Sequence, residues 1–109
     1  MKTLIYLNEL KAGSGDVGEV LLAKFLLAFL SVENKPEYVI CVNEAVRLST
    51  ERARVGFGAL KELENAGIKV LSCGTCLDAY KLTDKLAIGQ ITSATQIAQL
   101  LSTHKEIKL

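Results

Sequence analysis

The sequence predicts a three-layer α/β/α domain built on a mainly parallel five-stranded sheet. Short runs rich in Val, Ile and Leu alternate with longer helical stretches along the 109 residues. These runs are continuously apolar rather than alternating, as strands covered on both faces require. Half of the residues (50%) are hydrophobic, so a chain of ordinary domain size has material for one core.

Thr3 to Leu7 reads as the first strand, followed by a flexible loop from Asn8 to Asp16 that contains Gly13 and Gly15. Val17 to Ser31 reads as a helix, with Asp16 as N-cap and Glu19 as its capping-box partner. This helix is apolar around most of its circumference, which predicts cover from the sheet on one side and another subunit on the other. Pro36 marks a turn before the second strand, Tyr38 to Val42. Asn43 to Arg52 is a connection with one helical turn at Glu44 to Leu48. Val55 to Ala66 is a helix that turns Val55, Ala59, Leu60 and Leu63 inward, and Gly67 stops it. Ile68 to Leu71 is the third strand, followed by a short helix at Thr75 to Tyr80, a turn at Lys81 to Lys85, and a fourth strand at Ala87 to Ile91. Ser93 caps a last helix, Ala94 to Leu101, and Lys105 to Leu109 is a terminal strand.

The charge is nearly balanced at +1 with no basic run, which argues against nucleic acid as a partner. The longest apolar stretch, Val20 to Leu30, is interrupted by Lys24 and falls short of the roughly 20 residues that cross a bilayer. Met1-Lys2 leads directly into a strand, without the apolar region or cleavage site of a signal peptide. Three cysteines leave at least one thiol unpaired and form no disulfide framework, so a cytoplasmic, reducing location is expected.

The candidate chemistry centres on Cys73-Gly74-Thr75-Cys76, which follows the third strand and opens a helix. Helix N–H groups and the dipole favour a thiolate there. A thioredoxin-type dithiol is disfavoured because the only proline, Pro36, lies upstream of the thiols. Zinc needs four ligands and one C-x-x-C supplies two; Cys41 and His104 make no second knuckle, so no metal and no cofactor is expected. Two cysteines filling a buried turn remain an alternative, although Gly74 and Thr75 between them favour a tight, exposed loop.

Gly13-Ser14-Gly15-Asp16-Val17-Gly18 matches G-x-G-x-x-G, but the first glycine lies far from the strand and Asp16 puts a carboxylate where a pyrophosphate would sit. Ligands of open parallel sheets gather at the carboxyl ends of the strands. The thiols, the loop with Asp16 and the turn at Asn43 all fall at that edge, which makes Gly74, Thr75, Asp78, Asn43 and Asp16 candidates to line the site. Asp78 reads as a helix-start residue, Cys41 as core, and His104 as a helix-ending or surface residue. Arg47, Arg52 and Arg54 are available cations whose direction is open.

The stretch Cys73-Gly74-Thr75-Cys76-Leu77-Asp78 with Leu82-Thr83-Asp84-Lys85-Leu86-Ala87-Ile88-Gly89 resembles the C-terminal domain of YedF-like selenium-metabolism proteins, within the DsrE/DsrF-like superfamily. Gly15-Asp16 with Gly18-Glu19, Val42-Asn43 with Val46 to Thr50, and the terminal Ile107-Lys108-Leu109 fit as well, so the resemblance spans a single DsrE-like domain over residues 1–109. It implies a cytosolic sulfur or selenium carrier, sulfurtransferase-like, forming homotrimers or hexamers and exchanging persulfide sulfur with donor and acceptor proteins. By position Cys73 corresponds to the sulfur-accepting cysteine, and Cys76 is the extra thiol able to resolve the persulfide. Ala45 stands where the family often has glycine, and Tyr80-Lys81 replaces an Arg-Gly type of pair. The TusA-like domain commonly joined to YedF-like proteins has no counterpart in these residues, which leaves a self-contained relay without support. A non-catalytic assembly subunit and a dithiol oxidoreductase are the competing readings.

Overall fold

The computed structural model describes all residues, Met1–Leu109. Five strands, β1 (Thr3–Leu7), β2 (Tyr38–Cys41), β3 (Lys69–Cys73), β4 (Gln90–Thr92) and β5 (Lys105–Ile107), form one sheet in the order β4-β3-β2-β1-β5. Every pairing is parallel, so the fold is the expected one with no antiparallel edge. Four helices flank the sheet: α1 (Gly18–Ala28), α2 (Val55–Asn65), α3 (Gly74–Ala79) and α4 (Ala94–Thr103).

The strands bury alternate residues on opposite faces, as a pleat requires. Ile5, Leu7, Val39, Cys41 and Val70 join the larger core with Leu22, Leu26, Leu60 and Leu63 from α1 and α2. On the other face Leu4, Ile40, Val42 and Cys73 pack against Ile97 of α4. Each fully buried leucine contributes about 1.5–3 kcal/mol, so the α1/α2 face holds most of the fold's hydrophobic stabilisation. The outer surface of α1 is left open, with Val20, Phe25 and Leu27 exposed by 47%, 42% and 41%. Within one protomer, the second cover expected for this helix is absent.

Several boundaries differ from the sequence reading. The Asp16–Glu19 capping box does not form: Val17 occupies the N-cap position without a side-chain bond, and Glu19 Oε1 instead receives Arg54 Nη1 at 2.9 Å. The loop before α1 is pinned rather than free, because Ala12 is buried and its N–H donates to Gly18 O at 3.0 Å. Val55 faces solvent, and Gly56 takes the inward position, where a Cβ would stand 2.6 Å from Leu48 Cδ2. β3 runs two residues further than expected because Ser72 and Cys73 pair with Ile91 and Thr92. β4 begins only at Gln90, since Gly89 turns the chain with φ of +72° and Ile88 plugs the core. Gly67 does stop α2 (φ +94°), and Ser93 Oγ does cap α4, accepting the Gln96 N–H at 3.2 Å.

His104 ends α4 as expected, but its side chain is buried rather than at the surface (5% exposed). Nδ1 lies 3.0 Å from Leu100 O and Nε2 lies 2.9 Å from Glu37 Oε1, joining the α4–β5 junction to the start of β2. The hydrogen bond from His104 holds the Glu37 carboxyl below its ordinary value of 4.5. The bond from Lys61 lowers Glu64 likewise, with help from the Gly89 N–H. Burial pushes Glu51 up, and the bonds from Arg47 and Arg54 outweigh it. These carboxylates are more acidic folded than unfolded, so protonation favours unfolding. Their stabilisation is complete above the ordinary value and drains away as the pH falls through the lower folded values. The melting temperature is therefore expected to fall steadily below about pH 4.5, and Glu37→Gln to flatten that slope. An acid limb with the same slope in the variant would contradict the His104–Glu37 assignment.

Candidate functional site

Because β3 runs through Cys73, the first thiol is the last strand residue and also the N-cap of α3. Gly74-Thr75-Cys76 forms the opening turn of that helix, so the pair does not sit in an exposed loop. Gly74 permits this close start: a Cβ there would lie 3.1 Å from Ile91 Cγ2 and 3.5 Å from Thr92 O. Thr75 points to solvent. Cys73 is buried against Val42 and Ile97, whereas Cys76 is partly exposed and touches both cores, at the seam between the two sheet faces. Both thiols are free.

Asn43 directs its backbone N–H at Cys76 Sγ, 3.1 Å away. It does so in the left-handed region (φ +51°), where asparagine is tolerated better than most residues. Its side-chain amide donates to Asn8 Oδ1 at 2.9 Å, tying the end of β1 to the site. Asn43 opens a 3₁₀ segment (Asn43–Ser49) whose far end is fixed by the buried Ser49 Oγ···Ser72 Oγ contact of 2.7 Å.

Burial pushes the Cys76 thiol above its ordinary value of 9.0. The Asn43 N–H opposes this, and the adjoining Cys73 adds to it. The electrostatics thus reverse the expected acidic thiol at this position, because desolvation and a like-charged neighbour outweigh one N–H and a six-residue helix. Alkylation of Cys76 is expected to keep rising about tenfold per pH unit from neutrality to about pH 9, without levelling near 7. Peptide-resolved iodoacetamide labelling measures this, and a plateau by pH 7.5 would contradict it.

Tyr6 and Asn8 join the site without having been singled out in the sequence. In a parallel sheet paired residues point to one side, and Tyr6 pairs with Ile40, which pairs with Leu71. That row lies on the Cys73 face, one step before it. Burial raises the Tyr6 phenol first, and the charges of Glu106, Cys73 and Cys76 raise it further. The signal was available in the two-residue period of β1, once its register with β3 was known.

Asp78 and Asp16 play other parts. Asp78 is the fifth residue of α3 rather than its start, and its Oδ1 accepts the Thr83 hydroxyl at 2.5 Å, closing the following turn. Asp16 is exposed in the loop before α1, and the groups acting on the Cys76 thiol are the Asn43 N–H and Cys73. Cys41 is core, its thiol pushed up to about 12 by burial. None of the three arginines pairs with a thiol. Arg47 pairs with Glu44 and Glu51, Arg54 pairs with Glu51 and Glu19, and Arg52 lies over the Phe57 ring. Such half-exposed pairs are worth about 0–1 kcal/mol each, so their effect here is orientation more than stability.

Chemically, the arrangement presents a partly accessible thiol with one N–H donor and a second thiol behind it. No group of three or more Cys, His, Asp or Glu side chains is placed to hold a metal ion. No helix is long and apolar enough to cross a membrane.

The DsrE/DsrF-like family profile matches residues 38–107, from the first residue of β2 to the last of β5. No curated protein is matched by the sequence. Among solved structures, the ychN protein of E. coli superposes with a TM-score of 0.79 at 16% identity over all of both chains. Protein MTH1491 of Methanobacterium thermoautotrophicum gives 0.76 at 17% identity, covering 99% of this chain and 98% of its own. Protein BT1422 of Bacteroides thetaiotaomicron gives 0.73 at 18% identity, covering 99% and 94%. At these identities the likeness is one of fold.

Proposed function

The chain belongs to the DsrE/DsrF-like family, and on that premise we propose that it carries sulfur as a persulfide on the Cys73/Cys76 pair. The observation that carries this reading is the pairing of two free thiols at the carboxyl end of β3, the less buried of which accepts a backbone N–H. The Cys76 thiolate attacks the terminal sulfur of a donor persulfide, R–S–SH. A new Cys76 S–S bond forms, the donor S–S bond breaks, and R–S⁻ leaves with the electron pair and takes up a proton. An acceptor thiolate then attacks the outer sulfur and restores Cys76. Alternatively Cys73 attacks the inner sulfur, which forms a Cys73–Cys76 disulfide and expels hydrosulfide; an external thiol later reduces that disulfide.

The greater exposure of Cys76 supports an order opposite to the one the resemblance implies: Cys76 receives sulfur and Cys73 resolves it. The C-x-x-C spacing supports the YedF-like subgroup, and with it selenium as alternative cargo. Donor and acceptor are proteins bearing thiols, in a cytoplasmic setting, and residues 1–109 act as one DsrE-like unit. The open apolar face of α1 supports assembly into a homotrimer or hexamer.

Treating the reduced protein with a low-molecular-weight persulfide tests the proposal. The intact mass is expected to rise by one sulfur, about 32 Da, and to return on adding an acceptor thiol. Absence of both the adduct and a Cys73–Cys76 disulfide, in protein whose Cys76 alkylates normally, would overturn the reading.

A further inference from the structure

The geometry points to Arg47 and Tyr80 as a clamp that holds the Asn43 N–H on the Cys76 sulfur. Two elements meet at that sulfur, the Asn43–Ser49 segment and α3, and each carries a clamp residue one turn further on. Arg47 lies four positions after Asn43, and Tyr80 four after Cys76. The guanidinium carbon of Arg47 sits 4.8 Å from the centroid of the Tyr80 ring, within the range of a cation–π contact. The Tyr80 N–H in turn donates to Cys76 O at 3.1 Å, so the ring is coupled to the thiol-bearing turn through the helix backbone.

Arg47 is itself oriented from two sides. Its Nε meets Glu44 Oε2 at 2.7 Å, and its Nη1 meets Glu51 Oε2 at 2.8 Å. A planar guanidinium fixed by two carboxylates presents one face to the ring, which an ammonium could not do. Inside, the two elements pack through Leu77 against the cluster that holds Ala45, Val46 and Leu48; at the rim they meet at Asn43–Cys76 and at Arg47–Tyr80. The core packing holds the elements together, and the Arg47–Tyr80 contact sets the spacing at the rim, where the N–H meets the sulfur. Asn43 holds its N–H on the sulfur from the left-handed region (φ +51°), so its direction depends on the backbone of the segment staying in place. The Asn43–Asn8 amide bond ties the same residue to the end of β1 and makes no contact with α3 residues.

The inference rests on the carrier reading for its biological weight, since the N–H matters to loading only if Cys76 receives sulfur. The contacts themselves need no donor, so they are tested without one. Peptide-resolved iodoacetamide labelling of Cys76 in the full chain, followed against pH, is compared for wild type, Tyr80→Phe, Tyr80→Met and Arg47→Gln. The titratable groups that face Cys76, Cys73 on β3 and Tyr6 on β1, are unchanged in all four proteins.

Tyr80→Phe keeps the ring face and is expected to keep the wild-type midpoint. Tyr80→Met and Arg47→Gln are expected to move the midpoint up and to slow labelling at neutral pH by roughly three- to tenfold, as loss of a hydrogen bond to a charged sulfur requires. Amide exchange at Asn43 is expected to accelerate in the same two proteins. A purely structural role would lower the melting temperature and leave the midpoint where it was. A wild-type midpoint in either Tyr80→Met or Arg47→Gln, or an equal shift in Tyr80→Phe, overturns the clamp. Tyr80→Met is the decisive variant, because Arg47→Gln also leaves Glu44 and Glu51 without their cation. If the midpoint shifts but wild type takes no sulfur, the clamp stands and the carrier reading fails. If sulfur loads and the midpoints coincide, the reverse holds.

Discussion

Cys76→Ser is expected to abolish sulfur loading, by at least about a hundredfold, while Cys73→Ala leaves it intact. A serine hydroxyl does not ionise at working pH and cannot attack a sulfane sulfur, so losing the receiving thiol removes the reaction outright. Cys73 has a different effect. Its thiol adjoins Cys76 and raises the Cys76 value through hydrogen bonding and charge. Removing it is expected to lower that value, speeding loading at neutral pH by about two- to threefold. The same substitution eliminates the resolving step, so the loaded Cys73→Ala protein should release no hydrosulfide without an added thiol. The packing cost is modest, about 1 kcal/mol for a small buried side chain against Val42 and Ile97. If Cys73→Ala abolished loading instead, the roles would be those implied by the family resemblance, and burial would not rank the thiols.

Gly89→Ala is expected to have the largest effect on stability. Gly89 adopts φ of +72°, and a Cβ there would lie 2.0 Å from Val70 O and 2.7 Å from Val70 C. The obstruction is strand backbone, which no rotamer change relieves. The left-handed conformation adds about 1–2 kcal/mol for an L-residue. The Gly89 N–H donates to Glu64 Oε2 at 2.7 Å, so displacing the residue also frees a half-buried carboxylate. A cost of about 3–5 kcal/mol follows, a large part of the 5–15 kcal/mol typical of a domain. Thermal melting is expected to fall by more than about 10 °C. Because β4 pairs directly after Gly89, with Thr92 opposite Cys73, the site should loosen as well. A fall of less than about 2 °C would show that β3 and β4 separate without cost.

The fold was legible because its signals are local. Continuous apolar runs placed β1, β2 and the start of β3, and Gly67 and Ser93 announced the ends of helices through turn and cap chemistry. The errors share a cause in tertiary context. Ala87-Ile88 looks like a strand because it is apolar, yet Ser49 O takes the Ala87 N–H at 3.0 Å and Ile88 enters the core, so pairing waits until Gln90. Ser72-Cys73 looks like a strand end because it is small and polar, yet β4 pairs with it. At the site, Asn43 and the thiols could be read as the ends of neighbouring strands. Tyr6 and Asn8 required the β1–β2–β3 register, and the Arg47–Tyr80 contact joins residues whose proximity no spacing rule supplies. The exposed loop expected from Gly74-Thr75 became a helix start because Gly74 lets the backbone close against Ile91 and Thr92.

The order of the two sulfurs is the point on which the mechanism turns. Fragment-ion mass spectrometry of the Val70–Lys81 peptide, taken from protein loaded with a persulfide donor and trapped by alkylation, locates the extra sulfur directly. That sulfur is expected on Cys76 with Cys73 a free thiol; molecules that have released it carry a Cys73–Cys76 disulfide and no extra sulfur. Extra sulfur on Cys73 with Cys76 unmodified would contradict that order.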